Sequence, residues 1–130
     1  MEYLVGVVLA IAVCVFGLVV GFDRDRVFYP VMVVVVATYY CLFAVMGAST
    51  TVLISESLVA CGFAAVAVVA FKKNLWLAVA GLAGHGVFDF ARHFVIQNPG
   101  VPVYWPGFCG AFDVLAAAFL AVLLVKRGTV

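Results

Sequence analysis

Five predominantly apolar stretches, each close to twenty residues long, constrain what this chain can fold into more than any other feature. They cover roughly 3–22, 28–47, 50–71, 75–96 and 107–125. A bilayer core of about 30 Å demands about 20 such residues of a spanning helix. With 68% of its 130 residues hydrophobic and only 10% charged, the chain lacks the polar material to clothe a water-soluble domain. The breaks read DRDR, GAST, KKN and QNPGVPVYWP, and KRG follows the last stretch. Each carries charge, Gly, Asn or Pro, the residues that interrupt regular structure. The period-two alternation of a membrane barrel is missing. The expected fold is therefore an all-α integral membrane bundle of five transmembrane helices, one domain over 1–130. The first stretch follows an acidic Met-Glu-Tyr and exceeds a signal-peptide core in length, so it is expected to be a retained span.

Five spans put the two termini on opposite sides. Arg24 and Arg26, Lys72 and Lys73, and Lys126 and Arg127 then share one side, and the opposite breaks hold no Lys or Arg. The positive-inside rule makes the basic side cytoplasmic, with the N-terminus outside and the C-terminus inside. Tyr104 and Trp105 fall at the outer interface, and Phe28, Tyr29 and Trp76 at the inner one. The expected location is a multi-pass position in a prokaryotic-type plasma membrane, with lipid as the surrounding partner. A formal net charge of +1 and the lack of a basic patch exclude a nucleic-acid partner. Four cysteines, none in a C-x-x-C pair, form neither a disulfide framework nor a zinc finger.

With this orientation, sequence numbers become depths. Glu56, Asp89 and Asp113 each fall about six or seven residues below the outer edge of their spans, roughly 10 Å down. In the stretch GHGVFDFARH, helical geometry gathers His85, Asp89, Arg92 and His93 within an arc of about 100°. Ala78 and Gly81 extend that face as a small-residue stripe, with Val87 and Phe94 opposite. Cys109 shares a face with Asp113; Tyr39 and Tyr40 reach the same level, and Ser55 and Ser57 flank Glu56. A charge at mid-membrane costs about 2.5–3.5 kcal/mol and persists when paired, solvated or useful. Ionised Glu56, Asp89 and Asp113 would leave about two negative charges beyond what Arg92 balances. Protons or a divalent cation must supply the difference.

His and carboxylate donors suit Zn²⁺, Mn²⁺ or Fe²⁺, with zinc the first choice. The metal-ligand candidates are His85, Asp89, His93, Glu56 and Asp113. His85–Asp89 and Asp89–His93 are i,i+4 pairs, but the whole run spans about 12 Å, too long for one undistorted ion. One pair with Glu56 and Asp113 makes a mononuclear site; Asp89 bridging two ions makes a dinuclear one. A metal-activated water, a spare carboxylate of Glu56 or Asp113 as base, and Arg92 holding a phosphate or carboxylate form the catalytic set. Beneath the stiff outer loop with its three prolines, such a site would hydrolyse a lipid-like substrate. In residue type it resembles the Asp and His zinc sites of the seven-helix membrane hydrolases that include ceramidases. It departs from them in having five spans, two histidines and no H-x3-H pair.

Three other readings compete. In a proton- or ion-coupled transporter or channel subunit, a homo-oligomer would line a path with the same acids and histidines. A path needs polar residues along its depth, and the inner halves of the spans are Val, Ala, Leu and Phe. In a non-enzymatic accessory subunit, Asp89 pairs with Arg92, and the histidines bond Glu56 and Asp113 across helices. Both histidines lie on one helix, eight residues apart, which argues against bis-histidine haem ligation.

Overall fold

The computed structural model describes residues 1–127, except for the Asp25 side chain. Residues 128–130, part of the single domain expected over 1–130, lie outside the described residues. The chain is all-helical, 85% helix with no strand among the described residues. Five α-helices run in order: α1 Glu2–Val20, α2 Phe28–Gly47, α3 Thr50–Lys72, α4 Trp76–Ala91 and α5 Trp105–Arg127. Short 3₁₀ turns follow α1 (Phe22–Asp25) and α4 (Arg92–Phe94). Four of the five, all but α4, are long and apolar enough to cross a membrane.

The helix ends follow from their sequences. Gly21 closes α1 in the left-handed region (φ 95°), where a Cβ would be strained, and its N–H bonds the Gly17 carbonyl. Ser49 caps α3, its hydroxyl accepting from the Val52 N–H at 3.3 Å. Pro106 lies in the first turn of α5, where a missing N–H costs no helical bond. The fourth expected span, 75–96, is shorter as an α-helix and changes geometry at Arg92. Pro99 lies close ahead and disfavours a helical Asn98, and the last turn tightens to 3₁₀ before the chain leaves the axis.

Packing is tightest between α4 and α5, α1 and α5, and α2 and α3, with α3 on α4 and α2 on α4 completing the bundle. α1 and α5 run parallel. A Cβ on Gly6 would collide with the Phe108 carbonyl oxygen. α4 meets α5 just as closely: a Cβ on Gly86 would lie 2.9 Å from Val114 Cγ2. Glycine at both points lets the backbones approach closely. Val33, Ala78, Leu82, Ala116 and Leu120 are almost wholly buried and form the core. The outward faces are apolar too, with Val19, Val45, Leu58, Val87 and Phe94 exposed.

One end of the bundle gathers the basic breaks. The Arg26 guanidinium donates to the Phe71 carbonyl (3.3 and 3.2 Å), so a cation satisfies the last carbonyls of α3 beside Lys72. At the same end Arg127 donates to Asp23 at 2.7 Å. The opposite end holds the start of α1, the α2–α3 break and the 95–104 loop, where Gly107 packs on Glu2 and Tyr3.

Candidate metal centre

Two polar networks sit side by side below the 95–104 loop, and Tyr40 joins them. The first lies between α4 and α5. His85 comes from the middle of α4 and Asp89 from one turn further on; Cys109 and Asp113 are the matching i,i+4 pair on α5. His85 Nδ1 lies 2.7 Å from Asp113 Oδ2 and 3.5 Å from Asp89 Oδ2. The Cys109 thiol faces Asp113 Oδ2 at 3.7 Å. One donor atom from each of the four residues lies within 4.8 Å of the others, and all four residues are buried. Asp89 and Asp113 are 0% exposed.

Surrounding groups fix the donors in place. Tyr40 of α2 donates its hydroxyl hydrogen to Asp89 Oδ1. The His85 ring packs edge-on against Phe63 (4.7 Å between centroids), with Phe88 and Tyr40 beside it. After these contacts, Asp89 Oδ2, with His85 Nδ1 no nearer than 3.5 Å, and Asp113 Oδ1 are buried without a hydrogen-bond partner among the described residues. A buried carboxylate oxygen without a donor is costly unless a cation or proton faces it.

The second network pairs Arg92 with Glu56. The guanidinium engages both carboxylate oxygens, with Nη1 donating to Oε1 at 3.0 Å and Nη2 to Oε2. Asn98, from the loop, donates to Glu56 Oε2 (2.7 Å) and to the Tyr40 carbonyl (3.2 Å), and its own Oδ1 accepts from Gly100 N–H. Arg92 Cζ lies 3.7 Å above the Tyr40 ring. Arg92 is thus held by a fork, an aromatic face and a loop amide.

This arrangement sorts the expected residues. His85, Asp89 and Asp113 come together as anticipated. Glu56, expected as a ligand and as a base, is buried nearby but occupied by Arg92 and Asn98. Arg92 pairs with Glu56 across helices instead of with Asp89, and it is 3% exposed, with its fork committed. His93 is exposed, its ring against Phe94 at 4.0 Å, outside the cluster. The i,i+4 geometry that would bring it below Asp89 ends with α4 at Ala91; the tighter 3₁₀ turn carries Arg92 inward and His93 outward. Cys109, treated as accessory, stands among the donors; its i,i+4 spacing to Asp113 was the signal. Asn98 had none beyond its place before a proline. Ser57 donates to the Leu53 carbonyl and Ser55 to the Thr51 carbonyl within α3, so both serve the helix.

Separating the networks also locates the charge imbalance. Arg92 and Glu56 neutralise each other, so the surplus acid is Asp89 with Asp113, relieved by at most one imidazolium. A tetrahedral zinc with bonds of 2.0–2.3 Å places its donors about 3.3–3.6 Å apart. The shorter spacings in the cluster already lie near that range, and the widest requires a contraction of about 1 Å. Comparison of the chain with family models, curated proteins and solved structures finds no match in any of the three.

Proposed function

We propose that this chain is a multi-pass membrane protein that holds one divalent metal ion between α4 and α5 and uses it to hydrolyse a lipid-like substrate. The N-terminus lies outside and the C-terminus in the cytoplasm. Four long apolar helices, an apolar outer surface and basic residues gathered at one end support the insertion and its direction. One observation carries the metal reading. Two buried carboxylates share a pocket with a histidine and a cysteine; Asp113 Oδ1 has no hydrogen-bond partner among the described residues, and Asp89 Oδ2 has only the His85 ring nitrogen at 3.5 Å.

His85, Asp89 and Asp113 are the ligands, with Cys109 as the fourth donor or as the position that yields to water. The mixed N, O and S set favours zinc over magnesium or calcium. Bound there with one open position, the ion would polarise a carbonyl and lower the pKa of a water to about 7. Tyr40 holds Asp89 in place, as outer partners of metal ligands do. A conduction path is the weaker reading, because the core on the far side of the cluster is Val33, Ala78, Leu82, Ala116 and Leu120.

The test is metal analysis of protein purified without chelator, beside Asp89→Asn and Asp113→Asn. These keep shape and remove charge. Wild type should carry about one transition-metal ion per chain and the variants a tenth of that or less. Substoichiometric metal in the wild type refutes the proposal. Loaded protein that cleaves no lipid ester or amide, yet carries protons in vesicles, overturns the hydrolytic half alone.

A further inference from the structure

Between α1 and α2 the bundle is open. α1 packs on α5 and α2 on α3, and the two edges meet toward the basic end, where the Phe28 ring lies on Gly17. The resulting groove has a volume of about 920 Å³. That is the upper part of the range for small-molecule sites, about 300–1,000 Å³. Its sides are Leu9 and Val13 of α1 and Val31 and Val35 of α2, and Phe112 of α5 lies on its floor. Phe22 and Phe28 close it at the basic end.

Polar atoms appear at the other end alone. Tyr39, Trp105 and Cys109 line it there, and Cys109 is also a member of the metal cluster. The Trp105 indole N–H is buried with no acceptor among the described residues. Directly above the cluster, the Arg92–Glu56–Asn98 network ties the loop to α2 and α3, and a Cβ on Gly100 would strike the Phe43 carbonyl oxygen. The loop side is therefore packed shut, and the lateral groove reaches to within one side chain of the donors. From Val27 to Tyr39 it follows twelve residues of chain, about 18 Å.

We infer that this groove holds the single acyl chain of a lipid drawn from the surrounding bilayer. The tail lies toward Phe22 and Phe28, and the carbonyl end rests at Trp105 and Cys109, beside the metal centre. The placement of the carbonyl rests on the metal reading above; the seating of the tail does not. The groove admits one apolar chain with a single polar end, which the acyl chain of a lipid supplies. Against a second copy of this chain, the buried polar end would gain no partner from an apolar helix face.

A palmitic acid bearing a mid-chain diazirine, photolysed with the full-length protein in nanodiscs and mapped by mass spectrometry, tests the inference. Label should concentrate on Val31, Val35 and Phe112 and be displaced by excess palmitate. Val35→Trp and Val13→Trp each exclude about two methylenes of the chain and should lower labelling about tenfold. Val87→Trp, on the exposed face of α4, should leave it unchanged. Label spread evenly over exposed residues of α3 and α4, indifference to Val35→Trp, or a cross-linked dimer joined through α1 and α2 each overturn it. Repeating the labelling with Asp89→Asn separates the two ideas. Retained labelling without metal upholds the groove and leaves the metal reading to its own test, whereas metal without groove labelling sinks the groove alone.

Discussion

Deleting one partner of the Arg92–Glu56 pair should cost much more than deleting both, and the two single losses should be unequal. Both groups are almost fully buried, Arg92 at 3% and Glu56 at 1% exposure. Breaking such a pair by removing one member costs about 3–5 kcal/mol, because the survivor stays charged and buried. In Arg92→Met, Glu56 keeps the Asn98 amide at 2.7 Å, and a carboxylate can discharge by taking a proton. The expected loss is near the low end, about 3 kcal/mol. In Glu56→Leu, the guanidinium cannot shed its charge and keeps the Tyr40 face without its fork, so the loss moves toward about 5 kcal/mol. The double variant, apolar at both positions, should fall within about 1 kcal/mol of wild type, giving a coupling of about 7 kcal/mol. Reversible unfolding in mixed micelles with increasing SDS, followed by circular dichroism, measures all four proteins. Metal content supplies the second readout: all three variants should retain the ion if Glu56 is a clamp and not a ligand. Single variants that lose under about 1 kcal/mol, or a double variant as damaged as the sum of the singles, would refute the reasoning.

Four further outcomes follow from the same contacts. Tyr40→Phe removes the hydroxyl that holds Asp89 Oδ1 and should weaken metal affinity about 10- to 100-fold, read by competition with a chelating dye. Gly86→Ala drives a Cβ to 2.9 Å from Val114 and should cost about 1–3 kcal/mol in the SDS assay. Gly84→Ala, two residues away with nothing within 4 Å, should instead gain about 0.5–1 kcal/mol; equal effects at the two sites would contradict the α4–α5 packing. His93→Ala should leave metal content and stability unchanged, since its ring is exposed beyond the end of α4.

Much of the helical plan was legible because an apolar stretch of about twenty residues has few ways to satisfy its backbone. The face of α4 was readable for the same geometric reason: Ala78, Gly81, His85 and Asp89 keep one periodicity, and all are buried. That reading ran two residues too far. It carried α-helical spacing to His93, whereas the backbone tightens at Arg92. Partner choice was harder to see. Arg92 has an acid three residues before it, yet it reaches Glu56 on another helix, because the turn aims it there and Asn98 completes the fork. Asn98 meets the Tyr40 carbonyl across 58 positions of chain, a contact that no local pattern encodes.

The way α1 is attached has a consequence for how this molecule can vary. Its buried residues are Gly6, Ala10, Cys14 and Gly17, one narrow seam, and it contributes none of the four donors. Leu9 and Val13, just off that seam, border the groove. The α1 side of the groove is thus separate from the helices that carry the four donors, whereas α5 contributes to both through Cys109. Exchanging α1 outside its seam would reshape one side of the groove and leave the four donors untouched, so the molecule is modular at the level of single helices.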